Sequence, residues 1–265
     1  MARAFIGGLL QAGHMPGHIA VAEPNPVQRD AIASLHRDIV VSDSNRPVAD
    51  QAEALVLAVK PQVMATVCTD LGPRPAAQLV ISIAAGVRLA ALAQLLHDHA
   101  AVIRIMPNQP ALVGAGMSVL IAAAQVTAGQ RQTAQYIAAA IGETGWIEDE
   151  SLIDAVTAIS GSGPAYFYLL MEMLEQAALQ MGIPGELAGR LARQTGFGAG
   201  LVARQTSDSL TGLRASVTSP GGTTAAAIES LEAAGIRAIF RAALDAARNR
   251  SIELGDKAAP AANDH

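Results

Sequence analysis

The residues best suited to chemistry stand in VTSPGGTTAAAI, at positions 217–228. Pro220 precedes two glycines, whose lack of a side chain lets the backbone pass close to a ligand. Thr223 and Thr224 follow where a helix is predicted to start, and the helical pattern runs to Gly235. The free N–H groups and partial positive charge at a helix start suit a carboxylate or a phosphate. The alternative for this stretch is a tight turn with a threonine cap.

A lysine at the end of a predicted strand is the second candidate. Lys60, in AVKPQ, follows a buried strand, and ligands of open α/β sheets bind beyond the carboxyl ends of the strands. The only other lysine is Lys257, near the C-terminus. Lys60 is therefore a candidate ligand-binding residue, and the alternative is a solvated residue at a helix start. The loop in RIMPNQPAL, 104–112, is a third candidate, because its two prolines make it stiff and it follows a strand at the same edge of the sheet. The alternative is an ordinary turn after a strand.

Short apolar runs alternate with amphipathic segments in the first half of the chain, which predicts a doubly wound α/β sheet. The predicted strands are 19–24, 38–43, 54–60, 78–84 and 101–107. Beyond residue 150 only helical patterns remain, beginning with a long helix between Pro164 and Gly182. We therefore expect an α/β domain at 1–150, an all-helical domain at 151–256 and a disordered tail at 257–265.

Composition excludes several classes of protein. A net charge of −5 without basic runs argues against a nucleic-acid partner. The chain has one cysteine, so it forms no internal disulfide and fits a reducing cytosol. No run reaches the roughly 18 apolar residues of a spanning helix, so we expect no membrane segment and a cytoplasmic location. His97 and His99 have no further ligand cluster, so they are interpreted as surface residues and no metal site is predicted.

Residues 100–256 contain no histidine, lysine or cysteine. An enzyme that oxidises an alcohol usually needs such a base to take the proton. Hydride transfer to an already protonated imine needs no strong base. This favours imine reduction within the nicotinamide-dependent enzymes.

Five stretches resemble the pyrroline-5-carboxylate reductase family, in order and over nearly the whole chain. They are AVKPQ, VISIAAGV, RIMPNQPALVGAG, AISGSGPAYFYLL and, above all, VTSPGGTTAAAI. The resemblance implies reduction of 1-pyrroline-5-carboxylate to L-proline, the last step of proline biosynthesis. It also implies a dinucleotide-binding Rossmann-like domain, then a helical substrate and dimerisation domain, and homodimers that assemble further into a decamer.

The resemblance also implies the site residues. Cofactor-binding positions would be Asn45, Ala58, Val59, Lys60, Pro61, Ile83, Ala84, Ala85 and Ser216; substrate-binding positions would be Ser219, Gly222, Thr223 and Thr224. Thr224 is the catalytic candidate, through a hydrogen bond to the ring nitrogen. Glu23 favours a free ribose 2′-hydroxyl and hence NAD, but Arg29 is near, and on family grounds we expect NADP.

At its start the sequence departs from the family pattern. The family begins with a strand and a G-x-G-x-x-A loop, and Met1-Ala2 match the last residues of that loop. We therefore expect the first strand of the sheet and its loop to be missing, as in a shortened version of a longer chain. The neighbouring strands would then lose ladder partners.

Two alternatives remain. A β-hydroxyacid dehydrogenase would share the two-domain layout, but that class has a catalytic lysine on the interdomain helix, and residues 159–182 contain none. A non-catalytic oligomeric homologue would keep the helical dimer and lose cofactor binding.

Overall fold

A computed structural model of the chain describes residues 1–258. The tail predicted at 257–265 begins too early, because Lys257 and Ala258 still belong to the last helix. The rest of that predicted tail, 259–265, lies outside the described residues.

Seven strands form two sheets within the described residues. The strands are β1 (Ala20–Ala22), β2 (Val40–Ser42), β3 (Ala54–Leu57), β4 (Leu79–Ser82), β5 (Val102–Met106), β6 (Gly116–Ala122) and β7 (Gly142–Trp146). Strands β1 and β2 pair in parallel as one sheet, and the order β3-β4-β5-β6-β7 makes the other. All five predicted strands are present, each shorter than its apolar run.

The larger sheet is mixed, which the sequence did not predict. Strand β6 runs antiparallel to β5, whereas β3, β4 and β5 run parallel to one another. Residues 107–115 connect β5 to β6 through a short 3₁₀ turn, Gln109–Val113, and a left-handed Gly114. A parallel crossover needs about a dozen residues or more, so this short connection returns the chain antiparallel.

The first helix packs against both sheets. Helix α1 (Ala2–Gln11) buries Phe5 in a cluster with Ile81 and Ile103 of the larger sheet. The next residue, Ile6, lies in a second cluster with Ile19 and its neighbours beside the two-stranded sheet. In the described part of the chain, β1 pairs only with β2, and β3 only with β4, so α1 contributes to the cores of both sheets.

The remaining helices follow the predicted order: helices alternate with strands in the first half of the chain, and only helices follow β7. They are α2 (Pro26–Ala33), α3 (Asn45–Ala49), α4 (Met64–Leu71), α5 (Leu89–Leu95), α6 (Ala128–Ala139), α7 (Ile153–Val156), α8 (Gly163–Gln180), α9 (Gly185–Gln205), α10 (Leu210–Ser216), α11 (Thr223–Ala233) and α12 (Ile236–Ala258). Gly182 follows α8 with a φ of 89°, as expected for a helix stop.

The chain forms two compact units. The first comprises Met1–Gly161 together with Ala247–His265, of which the structure describes 247–258, and the second comprises Ser162–Ala246. These limits differ from a division at residue 150, because α7 and the π-helical turn Thr157–Gly161 that follows it belong to the first unit. Asn108 holds this segment there by donating from Nδ2 to the Ser160 carbonyl at 3.0 Å.

Cys68 gives the first testable prediction. It is fully buried in α4, and burial raises the pKa of its thiol to about 11. The unfolded thiol ionises near its ordinary pKa of about 8.5, whereas the folded thiol stays neutral up to about pH 11. The stability of the folded protein is therefore unaffected by this group below about pH 8.5 and falls as the pH rises towards 11. We expect Cys68 to react with a thiol reagent such as DTNB at pH 8 only after unfolding in guanidinium. Rapid reaction of the folded protein would contradict its burial.

Candidate active site

Two of the predicted cofactor segments lie side by side at the carboxyl edge of the larger sheet. Leu57, the last residue of β3, is paired with Ser82, the last residue of β4. Just beyond the ladder, the Ile83 N–H donates to the Leu57 carbonyl at 3.2 Å. The structure therefore brings residues 58–61 and 83–85 together, as expected for strands that end at the same edge.

Lys60 is a free cation at this edge. Its side chain is exposed and has no hydrogen bond or ion pair with any described residue. The Lys60 carbonyl accepts from the Val63 N–H at 3.1 Å, which closes the 3₁₀ turn Pro61–Val63. The turn fixes the backbone while the ammonium stays available to an anion such as a phosphate.

The loop after β4 has main-chain groups rather than polar side chains with which it could contact a cofactor. Ile83 and Ala84 pack against the cores on the two faces of the sheet, whereas Ala85 is exposed. The Ala84 N–H donates to Ser82 Oγ at 3.3 Å, which helps to shape the turn. Gly86 then has a φ of 80°, a conformation that favours glycine. Any cofactor here would meet the main chain of Ile83 and Ala84.

The exit of β1 combines an acid and an arginine. The Glu23 carboxylate accepts from the Asn25 N–H at 2.9 Å. Nη1 of Arg29 donates to the carbonyls of Glu23 and Pro24, at 3.0 and 3.2 Å. The Arg29 guanidinium is thus held at the end of the strand, where an arginine suits the 2′-phosphate of NADP.

Asn45 begins α3, after the exit of β2. Its Nδ2 donates to Asp70 Oδ2 of α4 at 2.9 Å. Since this bond uses one N–H of the amide, any contact with a ligand falls to the remaining amide groups.

In the second unit, α11 begins without a side-chain cap. Gly222 occupies the capping position, and its own N–H donates to the Ser219 carbonyl at 3.0 Å. Gly221 has a φ of 70°, so the turn needs glycine there. The tight turn considered as an alternative is therefore present, but its threonine cap is not, because Gly222 takes the capping position. The uncapped N–H groups remain available to a carboxylate.

The hydroxyl groups around this helix start differ in their availability. Those of Ser219, Thr223 and Thr224 have no partner among the described residues. Ser216 Oγ instead donates to the Leu213 carbonyl at 2.8 Å, within α10. The first three are free to bind a ligand, whereas the Ser216 hydroxyl donates within its own helix. The four predicted substrate residues lie together at the start of α11. The predicted cofactor residues, except Ser216, lie in the first unit.

Sequence reasoning missed the role of Asn108 as a link. Besides its bond to the Ser160 carbonyl, it accepts from the Met117 N–H at 2.9 Å. It therefore joins the exit of β5 to β6 and to the π-helical turn before Ser162. A single asparagine between two prolines gives no sequence signal for these partners.

The interpretation of His99 as a surface residue is wrong. His99 is buried, and its Nε2 lies 2.8 Å from the Gln78 carbonyl. His99 lies between α5 and β5, before the amino end of β5. It is therefore away from the carboxyl edge of the sheet, where ligands bind.

Comparisons with known proteins agree on one family. A model described as pyrroline-5-carboxylate reductase dimerisation matches residues 150–254, and one described as NADP oxidoreductase, coenzyme F420-dependent, matches 1–86. A pyrroline-5-carboxylate reductase of Pseudomonas aeruginosa is 45% identical over 97% of this chain and 94% of its own length. The structure of a pyrroline-5-carboxylate reductase from Coxiella burnetii has a TM-score of 0.90 at 39% identity, with 96% of this chain and 94% of that one covered.

The α/β unit, which matches an NADP oxidoreductase model over residues 1–86, and the helical unit that follows it in sequence define a nicotinamide-dependent oxidoreductase. The chain belongs to the pyrroline-5-carboxylate reductase family. The family, the Rossmann-like fold followed by a helical dimerisation domain, and the reductase activity predicted from the sequence are confirmed at this level.

Proposed function

We propose that this chain reduces 1-pyrroline-5-carboxylate to L-proline through the residues at the start of α11. The observation that carries the proposal is the uncapped N-terminus of this helix, with the free hydroxyls of Ser219, Thr223 and Thr224 around it. NADPH supplies the hydride to the imine carbon, and a proton on the ring nitrogen completes the secondary amine. This reaction is the last step of proline biosynthesis.

The substrate has two groups for this site to bind. Its carboxylate suits the free N–H groups in the first turn of α11, which begins at Thr223, and the positive end of this helix. Thr224, one residue further into the helix, has a hydroxyl free to hydrogen-bond the ring nitrogen. Holding the ring at both ends orients the C=N carbon for hydride transfer, which makes Thr224 a positioning hydroxyl rather than a base.

The substrate analogue 1-pyrroline, which lacks the carboxylate, tests this division of roles. If the start of α11 binds the carboxylate, kcat/KM for 1-pyrroline should be lower by a factor of about 100 or more, since hydrogen bonds to a charged group contribute about 1.5–3 kcal/mol each. Equal kcat/KM for the two imines would contradict carboxylate binding at the helix start.

The predicted cofactor, NADP, is confirmed as far as the comparisons reach. The model that matches residues 1–86 is an NADP oxidoreductase model. A Plasmodium falciparum pyrroline carboxylate reductase with NADP bound matches at a TM-score of 0.82 and 28% identity, over 96% of this chain and 94% of that one. We further propose that Lys60 binds a cofactor phosphate and that Arg29, held at the exit of β1, favours the 2′-phosphate over the free hydroxyl of NAD.

Replacing Lys60 by Ala should raise the Kd for NADPH by about tenfold, because an exposed ammonium and a phosphate form a charge-assisted bond. The measurement is a titration of NADPH fluorescence at low and high salt, and the difference between the proteins should shrink as salt screens the charges. Lys257→Ala removes the only other lysine and is the matched control, with no change expected. A Kd for Lys60→Ala equal to that of the wild type would remove Lys60 from the site.

The second unit indicates an oligomer. The dimerisation model covers it, and it exposes large apolar side chains in this single chain, including Phe167 at 64% and Phe197 at 60%. We propose a homodimer that assembles further into a decamer. Light scattering coupled to size-exclusion chromatography tests this, and a monomer at micromolar concentration would contradict it.

Among the described residues no helix is both long and apolar enough to cross a membrane. We propose a cytoplasmic location, which the single buried cysteine supports because it fits a reducing compartment. Fractionation of native cells, followed by detection of the protein, tests the location.

A further inference from the structure

The C-terminal end of α12 packs against the loop that follows β4. This loop, 83–88, contains the proposed cofactor residues Ile83, Ala84 and Ala85 and ends at Arg88, the capping position of α5. Both segments belong to the first unit. The packing therefore brings a helix that lies about 170 residues further along the chain against a proposed cofactor-binding loop.

Two glycines make the contact with main chain only. A Cβ added to Gly86 would lie 3.5 Å from the Gly255 nitrogen, and one added to Gly255 would lie 3.4 Å from the Gly86 carbonyl oxygen. Gly86 also has a φ of 80°, so its conformation favours glycine. A methyl group would just fit at position 255, where it would also lie 3.7 Å from Arg88 Nε. A longer side chain would meet both the Gly86 main chain and the Arg88 side chain at the end of the loop.

Two side-chain contacts fix α12 in this place. Ser251, one helical turn before Gly255, donates from Oγ to Asp154 Oδ1 at 2.7 Å, and both residues are buried. Asp256 accepts from Arg88 Nη2 at 3.2 Å, at the last residue of the loop. Ser251 and Gly255 lie on one face of the helix, so this face is the one that packs against the rest of the first unit.

A hydrogen bond to another element of the first unit holds the chain at each end of the loop. The Ile83 N–H is bonded to Leu57 of β3, and the Leu89 N–H donates to Glu150 Oε1 at 2.8 Å. Since both ends are fixed, we expect a side chain inserted at position 255 to push against the middle of the loop, which is the part proposed to meet the cofactor.

We propose that Gly255 is a positioning residue for NADPH: its bare backbone sets the position of the loop that follows β4. The inference rests on the proposed cofactor role of residues 83–85. It makes the end of α12, remote in sequence from every predicted cofactor residue, a determinant of cofactor affinity.

The test compares Gly255→Leu with Gly255→Ala, by titrating NADPH fluorescence in the absence of imine. Both replacements are good helix formers, so the pair differs mainly in size. Gly255→Leu should raise the Kd for NADPH by about tenfold or more, and Gly255→Ala by less than about threefold. The KM for the imine and kcat at saturating NADPH should change by less than about twofold in both proteins.

Glu253→Leu is the matched control, because Glu253 is exposed on the same turn and pairs only along the helix with Arg250. It should bind NADPH as the wild type does. If Gly255→Leu fails to fold, Gly255→Val decides, since its side chain is smaller than that of leucine but still extends beyond the single methyl group that just fits. Gly255→Val should raise the Kd for NADPH by about threefold or more.

Three results would overturn the proposal. They are an unchanged Kd in folded Gly255→Leu, a loss of thermal stability without any change in Kd, and an unchanged Kd in Gly255→Val. If the wild type itself binds no NADPH, the failure is that of the proposed function, and this inference falls with it.

Discussion

Replacing Thr224 by Val should lower kcat/KM for 1-pyrroline-5-carboxylate by about 100-fold. Valine keeps the shape of threonine and removes its hydroxyl, so the ring nitrogen would lose its partner while the helix is retained. Loss of one positioned hydrogen bond at a reacting group typically lowers the rate by about 10²–10³. The Kd for NADPH should not change, because Thr224 is assigned to the substrate and not to the cofactor.

Two variants control for other causes of such a loss. Thr224→Ser keeps the hydroxyl and should retain most of the activity. Thr211→Val makes the same change at the second position of α10, as Thr224 is the second residue of α11, and should leave kcat/KM unchanged. If Thr224→Ser were as impaired as Thr224→Val, the methyl packing rather than the hydroxyl would matter.

Replacing Glu150 by Ala should destabilise the first unit by about 3–5 kcal/mol. Arg104 in β5 has a side chain only 6% exposed, and its guanidinium pairs with the Glu150 carboxylate. Glu150 also accepts from the Leu89 N–H, which would lose its partner. The Glu150 side chain is 24% exposed, but its removal leaves the buried Arg104 guanidinium without a counter-charge, and this accounts for the size of the effect.

The lone tryptophan provides the measurement. Trp146 lies in β7 of the larger sheet, so its fluorescence during urea unfolding reports on the first unit. Glu148→Ala is the matched control: Glu148 pairs with Arg131 at 3.3 Å, but its side chain is 79% exposed, so we expect a loss below about 1 kcal/mol. Glu150→Gln keeps an acceptor and should fall between the two. Equal free energies of unfolding for Glu150→Ala and Glu148→Ala would contradict the importance of the buried pair.

The sequence was most informative about elements whose pattern is local. The runs of Val, Ile and Leu at β3, β4 and β5 predicted those strands, because strands buried on both faces have nearly continuous apolar sequences. The start of α11 was equally accessible: two glycines followed by two threonines placed it at Thr223. Lys60 was found because it follows a strong strand and is one of only two lysines.

Features that depend on contacts between distant segments were not accessible. Strand β7, GETGW, has two glycines among five residues and gains its place by pairing with β6. Its strand state therefore comes from tertiary pairing rather than from propensity. The burial of His99, the bonds of Asn108 and the contact between Gly86 and Gly255 likewise depend on partners far along the chain, to which no residue spacing points.

Transfer of deuterium from cofactor to product tests the central claim most directly. The purified protein is incubated with 1-pyrroline-5-carboxylate and NADPH that carries deuterium at the transferable position of the nicotinamide. We predict L-proline one mass unit heavier, labelled at the former imine carbon, in an amount equal to the NADPH consumed. If NADPH is not consumed in the presence of the imine, or if the proline formed carries no label, the chain does not reduce this imine by hydride transfer.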